Sequence, residues 1–320
     1  MTLRAVLLAA AIVMGLVPRA SAEYPARTVK IIVPTSPGGA IDTTARVIAN
    51  KLGEYWGRPV IVENRPGASM ITGADAVAKS AADGYTLLVA HDGAIAMNPV
   101  LYPNVPYNSQ RDFAPIALMT AIAGVIMVHD SVPATTLGEL IGYAKRNPGK
   151  LDHATGGPAT LLWLELLKTM AGVDIKSIPY RGGAPSVTAV IAGEVQVCLA
   201  DIATAHAGIA SSHVRVLAVT SAQRVKTLPD VPTAAESGVP GYQVSTWMGA
   251  FAPAATPPEI VAKIEAGIRR ALAEPDVRQR FETLGMDMRS GTSEDMRKVL
   301  AADIDKWSRL VKEKGIQIAQ

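Results

Sequence analysis

A chain of 320 residues, 49% of them apolar and 18% charged, is long enough to bury two cores rather than one. Setting aside residues 1–22, with Arg4 and Arg19, leaves 29 basic against 28 acidic residues and no basic block, so nucleic acid has no electrostatic footprint here. The single cysteine, Cys198, excludes an internal disulfide, and its place in an apolar strand pattern reads as a buried, inert thiol.

Residues 1–22 have the form of an export signal. Arg4 supplies a short positive region, residues 5–17 are nearly all apolar, and Ala20-Ser21-Ala22 gives a small-x-small cleavage pattern. The alternative is a membrane anchor, but a run of about 13 residues falls short of the roughly 20 needed to span a bilayer. No cysteine follows the run to carry a lipid. The mature chain is expected to start near Glu23 and to reside in a bacterial periplasm.

The chain then reads VKIIVPTSPGGAID over residues 29–42. A β-branched run ends at Pro34, a turn with Gly38-Gly39 follows, and Ile41, Ala45, Ile48 and Leu52 form the apolar stripe of a helix. Strand, glycine turn and helix aim backbone N–H groups and the positive end of a helix dipole at one point, which attracts anions. Further strands are expected at 59–64 and 85–90, with a short helix at 72–79 between them. Continuous apolar strands alternating with helices indicate βαβ units and a parallel sheet, the α/β class.

The apolar stretch 113–128 reads as two strand segments passing between lobes. A second alternating series follows: helices at 137–146, 161–171 and 184–191, and strands at 175–180, 195–199 and 214–220. Residues 227–242 form a structured connection, 247–253 a second crossing strand, and 259–273, 274–284 and 293–314 are helical. Thr292 to Asp295 supply the cap and first-turn acids of the last helix. The lobes expected are residues 23–123 with 247–320, and residues 124–246, joined by two crossings with ligand held between them.

Catalytic and metal signatures (GxSxG, HExxH, a Walker loop, CxxC) are missing from the sequence, and the five histidines show no metal-ligand spacing, so no enzyme, cofactor or metal is expected. Binding has more support. Thr35, Ser36, Gly38 and Gly39 offer hydroxyls and unhindered backbone donors, and Thr155, Gly156 and Gly157 repeat the theme in the second lobe. Asp42 either complements the helix dipole or reaches the ligand. His91 and Asp92 end the third strand, where they can line a cleft. Arg181 pairs with ligand or with a surface acid. Asp201 faces the ligand or caps the helix that follows it. Two glycine turns facing each other would clamp a small carboxylate.

Together these segments resemble the Bug family of solute-binding proteins of tripartite tricarboxylate transporters. The resemblance runs from Tyr24 to the C-terminus through VKIIVPTSPGGAID, ENRPGA (63–68), DGYTLLVA (83–90), IPYRGGAP (178–185), LPDVPTAAESGVPGY (228–242) and WMGAFAPAATP (247–257). It implies a two-lobed type II periplasmic binding protein fold with the ligand cleft between the lobes. It also implies an organic acid as ligand, held by loops 35–42 and 155–160, and integral membrane transporter subunits as partners of a monomer; docking to a signalling partner is the alternative. The second loop departs from the family pattern. Pro158 stands at the usual Ser/Thr and Leu161 at the usual His, while Ala200-Asp201 replaces the usual Asp-Asn. These changes point to a larger, more apolar acid, or to one with an amine for Asp201.

Overall fold

The computed structural model describes residues 23–316, so the export signal expected at residues 1–22 lies outside the described residues. Among the described residues ten strands form one connected arrangement in the order β2-β1-β3-β9-β4-β7-β5-β6, with β8 (Val214–Val219) and β10 (Asp287–Gly291) also paired to β4. In the first part, β1 (Val29–Val33) lies between β2 (Val60–Asn64) and β3 (Thr86–His91), all parallel. In the second part, β5 (Asp152–Thr155) lies between β6 (Lys176–Pro179) and β7 (Val197–Asp201), again parallel. The helices Ala40–Trp56, Pro158–Ala171 and Gly183–Ile191 each follow a strand of one of these sets.

The two parallel sets are joined through β4 (Phe113–His129), a single strand of 17 residues. This corrects the expectation of two segments. Pro115 is accommodated by a register shift against β9 rather than by a break. Gly124 continues the strand because a Cβ there would stand 2.6 Å from the Trp163 ring. Residues 113–123 of β4 pair with β9 (Ser245–Pro253), and residues 124–129 pair with β7 and β8 (Val214–Val219). The expectation for 247–253 also needs correcting, since β9 pairs only with β3 and with residues 113–123 of β4. The second passage is made just before it, where Thr220 and Val244 lie against Gly124. The buried Thr220 hydroxyl accepts from the Gly124 N–H and donates to the Val244 carbonyl, each at 2.8 Å.

Strand alternation divides the apolar residues between the faces of the sheet. Ile32, Leu88 and Ala90 point to one face, and Ile31, Val33, Leu87 and Val89 to the other. The first face belongs to a core that continues across both parts: Trp163 and Leu167 of helix Pro158–Ala171 share it with Trp247 and with Leu300, Trp307 and Leu310 of helix Ser293–Lys314. A third cluster, with Val187, Val190, Cys198 and Ala205, fills the far face of the second part. Burial pushes the Cys198 thiol up to about 12, which keeps it protonated and inert.

Candidate functional site

Register alone brings the carboxyl ends of the two parallel sets together. His91, the last residue of β3, pairs with Met248, which pairs with Thr120 of β4. Asp201, the last residue of β7, approaches from the opposite direction and pairs with Gly124. Four residues of extended chain, about 13 Å, separate the two levels, so the strand ends converge on the middle of β4. A small molecule fits that spacing.

Three helices start at this convergence, and all three start on a glycine without a side-chain cap: Gly39, Gly157 and Gly182. Among the described residues side chains cap three other α-helices, while the helices starting after Met70, Pro257 and Glu274 are also uncapped but do not begin on a glycine. Thr136 and Thr292 close full capping boxes, and Asp201 caps helix Ile202–Ile209. An uncapped N-terminus keeps unsatisfied N–H groups and roughly half a positive charge, the requirement for holding a carboxylate. No atom stands within 4 Å of the Cβ direction at Gly38, Gly39, Gly157 or Gly182, so each faces open space. At Gly157, with φ at 154°, a side chain would also strain the backbone.

The first loop is held from beneath. Asp42 is buried, and its Oδ2 accepts from the Gly38 N–H and from Arg46 Nε, each at 2.9 Å. Its Oδ1 accepts from Asn64 Nδ2, which also donates to the Thr35 carbonyl. Burial pushes the Asp42 carboxyl up, but bonds from Arg46, Gly38 and Asn64 more than offset this and hold it below its usual range. Asp42 therefore acts as the organiser of the loop, and the Gly38 N–H is already engaged. Thr35 is half-buried, with Oγ1 enclosed and without a protein partner, while Ser36 is exposed at the loop tip.

The second loop has its own support. His153 is fully buried; its Nε2 accepts from the Leu199 N–H at 3.0 Å, so the ring proton sits on Nδ1 and donates to Thr155 Oγ1. The Thr155 hydroxyl then meets Ser177 Oγ at 2.6 Å. Burial, with some help from Lys168, lowers the His153 pKa to about 3 and keeps the ring neutral. Thr155 is thus committed inward, while Gly156 and Gly157 form a partly buried turn. A Cβ on Gly156 would stand 2.9 Å from the backbone of Gly182 and Gly183, so two of the bare helix starts abut. Pro158 at the first helical position removes one N–H from the second of them.

The remaining candidates separate. Arg181 is exposed beside Gly182 and makes no ion pair among the described residues. Both Asp201 oxygens accept from Thr204, one from its N–H and one from its hydroxyl, which favours the capping role. Asp92 is fully buried against the Gly93 N–H, and burial pushes its carboxyl up despite the neighbouring His91. It is therefore not presented to the cleft. His91 remains partly open, and its Nδ1 accepts from the Gly93 N–H at 2.8 Å. Sequence reasoning missed His153, Asn64 and Thr220. The period-two spacing of His153 and Thr155 was the available signal for the first of these.

Among the described residues, no three His, Cys, Asp or Glu side chains gather as a metal site, and no helix is long and apolar enough to cross a membrane. Two α/β lobes with strand ends facing a common cleft define the type II periplasmic binding protein fold. The solved structure of R. palustris Rpa4515 with adipate aligns at TM-score 0.80 and 33% identity, covering 92% of this chain and all of that one. The periplasmic binding protein BugD aligns at TM-score 0.76 and 33% identity, covering 92% of this chain and 100% of that one. Protein BugT of Bordetella pertussis is 35% identical over 305 residues, 94% of this chain and 93% of its own length. The profile described as tripartite tricarboxylate transporter family receptor matches residues 44–316, and the chain belongs to that family of solute-binding proteins.

Proposed function

We propose that this protein captures a small organic acid in the periplasm and delivers it to the membrane subunits of a tripartite transporter, without catalysing a reaction. The observation that carries this reading is the set of three uncapped, glycine-started helices, Gly39, Gly157 and Gly182, at converging strand ends. Residues 23–123 with 247–316 form one lobe in this reading, and residues 124–246 the other, as the change of β4 partners at Ala123/Gly124 supports. Loop 35–39 holds the ligand from the first lobe. The helix starts at Gly157 and Gly182 and the Arg181 guanidinium hold it from the second, and His91 contributes an Nε2–H donor. Backbone amides replace the hydration of the carboxylate. Only a ligand that touches both lobes stabilises the closed state, which is the form presented to the transporter.

Gly39→Trp tests the site. The Gly39 backbone (φ −79°, ψ 174°) suits any residue and its Cβ direction is open, so the variant folds with an indole filling the clamp. A carboxylate present at about a hundredfold over its Kd stabilises the wild type by about 2.7 kcal/mol. The same carboxylate is expected to leave the melting temperature of G39W unchanged. An unaltered ligand shift in G39W would refute the assignment.

A further inference from the structure

Residues 65–70 leave β2 at the same carboxyl edge as loop 34–39. Within them Gly67 (φ 136°), Ala68 (44°), Ser69 (51°) and Met70 (77°) are consecutive and all at positive φ. Three non-glycine residues in a row adopt this region only where the surroundings hold them there. The buried Asn98 does so by donating Nδ2 to the Ser69 carbonyl at 2.6 Å, and the Ser69 hydroxyl lies 3.1 Å from that of Tyr102.

This turn fixes where the Met70 side chain goes. Its Cε lies 3.3 Å from the point that a Cβ on Gly93 would occupy, a point also crowded by the His91 ring. Met70 packs against both clusters that cover the first part of the sheet, the one with Ile32 and Leu88 and the one with Ile31 and Val33. Those residues lie on opposite faces. A side chain that meets both lies across the ends of β1 and β3, in the crevice beyond the strand carboxyl ends. Met70 is only partly buried there, with its Cε beside the point that the His91 ring also crowds.

We propose that Met70 is a specificity-determining residue that receives the apolar carbon chain of the bound acid, so that the preferred ligands are carboxylates with several methylenes rather than short, hydroxylated ones. The inference rests on the reading of the cleft as a carboxylate clamp. An unbranched thioether adapts to chains of different length, and it adds no polar group that a hydroxylated acid could use. The left-handed turn delivers this apolar surface at the same carboxyl edge of the sheet as the bare helix start at Gly39, which holds the charged end.

The test is calorimetric titration of linear α,ω-dicarboxylates of four to eight carbons into the full-length mature protein, its Met70→Gly and Met70→Leu variants, and G39W. Wild type is expected to gain up to about fourfold in affinity per methylene, the value of burying one CH2. Glycine suits the left-handed backbone, so M70G folds, and its ratio of affinities between eight and four carbons falls at least tenfold. M70L keeps most of the ratio. A wild type without a length preference, or an M70G that weakens every acid by one common factor, overturns the inference. If G39W still binds, the clamp reading falls and this inference with it. If G39W binds nothing while M70G keeps the full length preference, only this inference falls.

Discussion

Replacing Thr220 with valine tests how the two passages between the lobes are fastened. The side chains are close to isosteric, so volume is conserved and only the hydroxyl is lost. In the native protein that hydroxyl accepts from Gly124 and donates to Val244, both at 2.8 Å and in a fully buried setting. Valine leaves one N–H and one carbonyl buried without that partner, each worth about 1–3 kcal/mol, so about 2–6 kcal/mol is expected in total. For a chain of this size each kcal/mol moves the melting temperature by about 2–4 °C, giving a fall of roughly 4–24 °C. Thr220→Ser is the control: it keeps the hydroxyl and loses one methyl, about 1 kcal/mol. Denaturation of the ligand-free protein, followed by tryptophan fluorescence, reads both variants. A valine variant as stable as the serine variant would mean that the hydroxyl does not fasten the passages.

Two further predictions concern pH. His153 has a folded pKa of about 3, below its ordinary 6.5, so its contribution is complete above pH 6.5 and is lost as the pH falls toward 3. The loss amounts to at most about 1.4 kcal/mol per pH unit, and H153Q, which can still accept from Leu199, should show a shallower decline between pH 6 and 4 in denaturation midpoints. Equal slopes would refute a neutral buried ring. Asp92 behaves in the opposite sense, because burial raises its folded pKa above 3.8. Above that pH the unfolded chain releases a proton that the folded chain retains, so stability declines as pH rises. Asp92→Asn removes that titration, and its stability relative to wild type should therefore increase from pH 4 to pH 7; a constant difference would refute the assignment.

Much of this was legible in the sequence because local patterns and tertiary structure agree. The β-branched run before Pro34 and the stripe Ile41, Ala45, Ile48, Leu52 give β1 and the helix Ala40–Trp56, while Thr292 with Asp295 marks the start of the last helix. β10 (Asp287–Gly291) was not legible. Its sequence, DMRSG, is polar, as suits a strand with charged side chains facing water and β4 on one side. The run 113–128 looked divided because Pro115 and Gly124 normally punctuate a strand, whereas here a register shift and the Trp163 ring account for them. Among the site residues, the glycines sit where their turns required. The acids Asp42, Asp92 and Asp201 were legible only as alternatives, since a carboxylate near a helix start has the same sequence signature whether it organises a loop, caps a helix or meets a ligand. Met70 carried no signal, because nothing in its identity reveals a positive φ.

The core that contains Trp163, Trp247 and Trp307 does not stop at the boundary between the lobes. A clamp whose halves had separate cores could lose one half and keep the other, and a calorimeter would record two heat-absorption peaks. Here the second part cannot melt without stripping apolar surface from helix Ser293–Lys314 and from the strands of the first. Opening must therefore be a movement around an intact seam, small enough to leave those tryptophans packed, and the protein should be stable or lost as a whole. A chain that melts only as a whole leaves no half-folded remnant for a protease to cut.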